Sequence, residues 1–279
     1  MKRSHSIRWF ALALCLSFVT GCAQREKDTS DYTDTLDYTP SPGQDGKDVV
    51  WVPTPQALVD AMLDMAKVTP SDYIIDLGSG DGRLVITAAK RGATALGIEY
   101  NPELVELANH TARKEKVRAK ATFKQADIFE SDFSQATVIT LFLLPDLNLK
   151  LRPIILDMKP GTRIVSNSFD MGEWKPDQTK VLENSALQDT SLWYTAYLWI
   201  VPAKVDGIWR LDNGQISFVQ DFQNVTGTLT LRGKEMDLTG KLDGNKISFH
   251  AGGTEYVGTV SDNKISGKHA GGGSWKATR

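Results

Sequence analysis

From Val49 onward, apolar residues fall into two successive rhythms. Leu58, Val59, Met62, Leu63 and Ala66 recur at the spacing of one helix face, which predicts a helix over 55–67. Thr69-Pro70-Ser71-Asp72 breaks it. A short apolar run at 73–77 reads as a strand, 78–82 as a glycine turn and 83–90 as a helix. The alternation continues with a strand at 93–98, a helix at 102–115 with proline in its first turn, and a strand at 121–125. A long apolar strand at 136–143, a helix at 147–158 and a strand at 162–167 follow. Leu182 and the run 192–201 supply closing strands. Strands alternating with helices predict an α/β fold, a parallel sheet covered on both faces.

After Pro202 the helical rhythm stops. Residues 203–279 hold 13 of the 23 glycines, and short alternating runs recur at 207–211, 215–219, 226–231, 236–239, 246–249, 256–260, 264–267 and 274–277. Asp212-Asn213-Gly214, Asp243-Gly244-Asn245 and Asp262-Asn263 supply turn residues between them. This pattern predicts a small antiparallel β barrel or sandwich, with Trp209 and Trp275 as its filling.

The N-terminus follows neither rhythm. Lys2, Arg3 and Arg8 precede an apolar run from Trp9 to Val19. Spanning a bilayer takes roughly 20 apolar residues, so the run is the length of a secretory signal instead. It ends in Val19-Thr20-Gly21-Cys22, which resembles the lipobox of bacterial lipoproteins. That resemblance implies cleavage before Cys22 and its lipidation. Ala23, instead of Asp, follows the cysteine, and by resemblance to enterobacterial lipoprotein sorting this implies the periplasmic face of the outer membrane. Residues 22–48 are rich in Asp, Thr, Ser, Pro and Gly and read as a flexible tether. The expected organisation is a signal at 1–21, a tether at 22–48, an α/β domain at 49–202 and a β-rich domain at 203–279.

Composition narrows the chemistry. Removing residues 1–21 takes away three positive charges and leaves (32 − 3) − 34 = −5. The α/β domain carries 16 basic and 19 acidic residues, so nucleic acid is not an expected partner. The only cysteines are Cys15 and Cys22, which excludes a cysteine nucleophile from the body, and no spacing of histidines suggests a metal.

Asp76-Leu77-Gly78-Ser79-Gly80-Asp81-Gly82-Arg83 sits where the first strand meets a helix. Glycines there let a ligand approach the backbone, and the helix offers free N–H groups. Glu99 ends the next strand, where an acid can accept from ribose hydroxyls. Arg83 fills the place where the nicotinamide-dinucleotide fingerprint needs glycine or alanine. Asp-x-Gly-x-Gly-x-Gly instead resembles the first motif of class I S-adenosylmethionine-dependent methyltransferases, whose adenine contact corresponds to Asp127.

Val52-Pro53-Thr54-Pro55, Gly97-Ile98-Glu99-Tyr100-Asn101-Pro102, Phe142-Leu143-Leu144-Pro145 and Gly161-Thr162-Arg163-Ile164-Val165-Ser166 extend the likeness. Phe169 and Trp174 follow them. Over residues 49–178 the set resembles the mitochondrial ATP synthase c-subunit lysine methyltransferase family. The resemblance implies a Rossmann-like class I sheet, S-adenosyl-L-methionine as cofactor and, as acceptor, a lysine of a protein, membrane-associated proteins included. It implies Asp76, Gly78, Gly80, Glu99 and Asp127 as cofactor-binding, with Ser79, Asp81 and Asn101 beside them in the same loops. Thr54, Pro55 and Pro145, joined by Asn101, form the expected substrate rim. Neither the tether nor the β-rich domain is covered.

Methyl transfer from a sulfonium needs alignment above all. A lysine acceptor must also lose a proton, to water or to a carboxylate such as Asp81 or Glu103. An exported body meets a constraint, because the cofactor is made in the cytoplasm. The competing reading is a non-catalytic envelope lipoprotein that uses the pocket or the β-rich domain to bind a ligand or a cell-envelope partner. The complete first motif favours the enzyme.

Overall fold

The computed structural model describes residues 36, 38–182 and 194–279. The signal, Cys22 and most of the tether lie outside them, as do Leu192 and Trp193 at the start of the closing run 192–201.

The α/β domain forms one seven-stranded sheet in the order β3-β2-β1-β4-β5-β7-β6. Helix α1 (Gln56–Met65) leads into β1 (Tyr73–Leu77), α2 (Arg83–Lys90), β2 (Thr94–Glu99), α3 (Pro102–Lys114) and β3 (Ala121–Gln125). The chain then crosses to β4 (Val138–Leu141), α4 (Pro145–Leu156) and β5 (Arg163–Asn167). Strands β1 to β5 pair in parallel, whereas β7 (Thr195–Ile200) runs antiparallel to both β5 and β6 (Gln178–Val181). Both faces of the sheet are packed. Ile74, Val138 and Val165 meet Leu58 and Met62 of α1 and Val85 of α2. Ile75, Leu77 and Ile139 meet Leu151 and Ile155 of α4 and the indoles of Trp174 and Trp199 on the opposite face. Burial on both faces explains why these strands read as nearly continuous apolar runs.

Residues 207–278 form the predicted barrel. It is closed, with strands β8 (Gly207–Leu211), β9 (Gly214–Asp221), β10 (Asn224–Leu231), β11 (Lys234–Asp243), β12 (Lys246–Ala251), β13 (Thr254–Ser261), β14 (Lys264–His269) and β15 (Ser274–Thr278). Trp209, Phe218 and Phe249 are fully buried in it, and Trp275 packs edge-on to Phe249. Closure leaves no open strand edge.

The barrel is seated on the sheet domain through a specific seam. Phe222 stacks on Trp174 at 6.1 Å. The Gln223 side chain donates to the Lys175 carbonyl at 2.8 Å, and Lys241 pairs with Asp177 at 2.9 Å. The Gly244 carbonyl accepts from Ala203 N–H at 2.8 Å. Gly161, just before β5, comes so close to Gly244 that a Cβ on Gly244 would lie 3.0 Å from its Cα. The barrel therefore docks near the edge where the parallel strands begin.

Candidate functional site

The pocket lies at the other edge, beyond the strands' carboxyl ends. The order β3-β2-β1-β4 places the topological switch between β1 and β4, where ligands of open α/β sheets bind. Asp127 follows β3, Glu99 ends β2, Asp76 and the glycine turn end β1, and Phe142-Leu143-Leu144 follows β4. These residues, with 78–81 of the turn, line one cavity of about 390 Å³. Three strand spacings of roughly 4.8 Å make this an elongated site about 14 Å long.

The backbone of the turn requires its glycines. Gly78, Gly80 and Gly82 have φ of +80°, +52° and +79°. A Cβ on Gly82 would lie 2.6 Å from the Phe123 ring, and one on Gly80 would lie 2.6 Å from the Trp51 indole nitrogen. Alanine at either position meets both backbone strain and a clash.

The carboxylates are held in different ways. Glu99 accepts from Gly80 N–H and Asn101 N–H, each at 2.9 Å, one on each oxygen. It keeps lone pairs free for further donors. Asn101 caps α3 by accepting from Glu103 N–H at 2.8 Å. Asp127 accepts from Phe129 N–H at 2.8 Å and pairs with Lys47, whose bond and charge hold the Asp127 carboxyl below its usual range. Asp76 is different. It is buried, with the Thr140 hydroxyl donating to it at 2.6 Å. Burial, with Glu99 and Asp81 nearby, pushes its pKa up to about 7.

Such a donor set fits S-adenosylmethionine. Three carboxylates along an elongated cleft suit a ligand with cationic centres, hydroxyls and an exocyclic amine. The Ser79 hydroxyl is buried in the lining with no protein partner, and so remains free for a ligand. Asp76, Gly78, Ser79, Gly80, Asp81, Glu99, Asn101 and Asp127 all line the cavity, as does Thr54 from the expected rim. Pro55 and Pro145 sit one residue beyond lining positions, as N-cap of α1 and first residue of α4. Neither suggested base is placed for the task. Asp81 is engaged by the Arg83 guanidinium through three contacts of 2.6, 3.0 and 3.1 Å, and exposed Glu103 is not part of the lining.

Residues 45–53 also line the cavity, and sequence reasoning missed them. Residues 45–48 fall in the stretch whose polar composition reads as tether, yet the Lys47–Asp127 pair holds that part of it against the pocket. Lys47 and Asp127 are 80 residues apart, and a lone lysine in an acidic stretch carries no signal of such a contact. Among the described residues, none from 203–279 lines the pocket, so the barrel does not cover it.

Residues 76–178 match the ANTKMT methyltransferase domain family. The chain is 40% identical over 156 residues to a protein-lysine N-methyltransferase of Saccharolobus islandicus, covering 55% of this chain and 94% of that protein. The chain belongs to this methyltransferase family. It is an S-adenosylmethionine-dependent methyltransferase. The human ATP synthase c-subunit lysine N-methyltransferase is 37% identical over 105 residues, and the match spans 45% of that protein. A Salinibacter ruber structure described as an RNA methyltransferase in complex with S-adenosyl-L-homocysteine is 47% identical. Its alignment covers 55% of this chain and 96% of that one, with a TM-score of 0.51. Little more than half of this chain thus accounts for nearly all of two relatives, and the family match ends at residue 178, before the barrel begins.

When bound, S-adenosylmethionine supplies an electrophilic methyl group on a sulfonium. The protein's part is to orient donor and acceptor and to exclude water. The β4 end does the second, because Phe142 and Phe169 stack at 6.2 Å beside Leu143 and Leu144.

Proposed function

We propose that this methyltransferase acts on a lysine side chain of a protein. The apolar mouth at the end of β4, lined by Phe142, Leu144 and Phe169, carries the reading. An ammonium entering it loses hydration, which lowers its pKa toward the neutral amine that attacks, and its proton leaves to water. The apolar side chains of the mouth suit an aliphatic stem. The 40% identity to a protein-lysine N-methyltransferase supports the same acceptor. An RNA acceptor, as in the description of the Salinibacter relative, is disfavoured by the excess of three acidic residues over 49–202.

The test is transfer of labelled methyl from S-adenosylmethionine to cell-envelope proteins and, separately, to RNA. Acid hydrolysis of the protein should release methyllysine, and Asp76→Asn should abolish the label. Label in RNA, or in another amino acid, overturns the lysine reading.

The proposal includes a location. Val19-Thr20-Gly21-Cys22 supports a lipid anchor that holds the enzyme at the periplasmic face of a bacterial outer membrane. Cys22→Ser should abolish lipid labelling and release the protein from membranes. Retention in the membrane fraction at the level of the unmodified sequence sinks the anchor. S-adenosylmethionine must then reach that compartment, so label should also appear when the cofactor is supplied to intact cells from outside.

A further inference from the structure

The segment that precedes α1 is built as a strap across the cofactor pocket. Gly43 N–H donates to the Trp51 carbonyl at 2.8 Å, and Trp51 N–H donates to the Gln44 carbonyl at 2.9 Å, closing a loop on itself. Gln44 secures the base of the loop, accepting from Ser41 N–H at 2.9 Å and donating to the Tyr38 hydroxyl at 2.7 Å. Along the middle of the cleft, after β1, the Trp51 indole lies over Gly80 in the space a side chain there would need. At the β3 end, Lys47 pairs with Asp127 and sits 4.9 Å from the centre of the Tyr100 ring.

Lys47 and Trp51 both lie upstream of residues 76–178, which match the family model. Asp127 stands at the β3 end of the cleft, the end remote from the apolar mouth. An elongated nucleoside-containing cofactor whose reactive end faces that mouth therefore places its base beside Asp127. A carboxylate has about four acceptor positions. Phe129 N–H and Lys47 take two, and the others remain for a base amine.

We propose that Lys47 is a cofactor-positioning residue that acts through Asp127. It keeps the Asp127 carboxylate aimed at the base and latches the 43–54 strap over the bound cofactor, so the pair must break before the cofactor leaves. The inference concerns cofactor retention and is independent of the methyl acceptor. Both partners are partly solvent-exposed, at 37% and 17% of the side chain, so the latch is open to screening by salt.

Release of S-adenosylhomocysteine from the full chain, followed by stopped-flow tryptophan fluorescence, tests this. Lys47→Met keeps the aliphatic stem and removes the charge. Release should be about fivefold faster in the variant at low salt, the upper range for an exposed ion pair. Raising salt from roughly 0.05 to 0.5 M should accelerate release from the unmodified protein and leave the variant little changed. On an Asp127→Asn background, Lys47→Met should have no further effect. Equal release rates at every salt concentration overturn the proposal. Slower release from Lys47→Met also overturns it, because Lys47 would then compete with the cofactor for Asp127.

Discussion

The two halves of this chain use buried space in opposite ways. The barrel fills its interior with Trp209, Phe218, Phe249 and aliphatic residues, and its charged side chains lie outside. The sheet domain buries Asp76, Ser79, Thr140 and Asn148, and it holds three glycines in the left-handed region beside an open cavity. A purely packed interior favours stability. A cleft that leaves a buried carboxyl and an unpartnered hydroxyl gives up stability to prepare for a ligand. The contrast locates chemistry in the first half and gives the second a structural seat on Trp174 and Lys175.

Damage to one half should spare the property carried by the other. Phe249→Ala in the barrel should destabilise the protein by about 3–5 kcal/mol, read from denaturant melts. Its dissociation constant for S-adenosylmethionine should stay within about twofold at a temperature where the protein is folded, since the barrel does not reach the pocket. A large loss of affinity would join the two halves functionally.

Asp76→Asn should do the reverse. The folded carboxyl titrates near 7 and the ordinary value is 3.8. Between those values the folded state holds more protons, so its relative stability falls as pH rises through that window. About three units correspond to roughly 4 kcal/mol lost by pH 8. Asparagine still accepts from Thr140 and removes the charge. The variant should therefore melt higher than the unmodified protein at pH 8, equally at pH 4 or below, and bind S-adenosylmethionine at least about a hundredfold more weakly by calorimetry.

The same group predicts a binding profile. Ionised Asp76 favours a cationic ligand, so affinity for S-adenosylmethionine should fall below about pH 7, approaching tenfold per unit. Asp76→Asn should flatten that slope. A wild-type profile that is level between pH 5 and 8 would remove Asp76 from cofactor recognition. Asn101→Ala should have the smallest effect, about 1 kcal/mol for a lost helix cap, with a minor change in affinity.

Local pattern was enough for much of this protein. Runs such as Tyr73–Leu77 and Arg83–Lys90 carry their own period, and the Asp-x-Gly-x-Gly-x-Gly turn needs its glycines for backbone reasons that hold within eight residues. The strands of the barrel were likewise marked by alternation and by turns such as Asp243-Gly244-Asn245. What stayed hidden was every feature created by distance along the chain. That 43–54 straps the pocket depends on Lys47 meeting Asp127 and on Trp51 meeting Gly80. That the barrel stands away from the pocket depends on Phe222 finding Trp174 and Gly244 finding Gly161. That Asp76 is poised near neutrality depends on its burial and on the charges of Glu99 and Asp81, set against a hydrogen bond from Thr140 that pulls the other way, three groups brought together from different strands and loops. Periodicity and turn chemistry are properties of neighbouring residues and can be read in order. Desolvation, ion pairing and docking are properties of the folded volume, and they exist only once distant residues have been packed together.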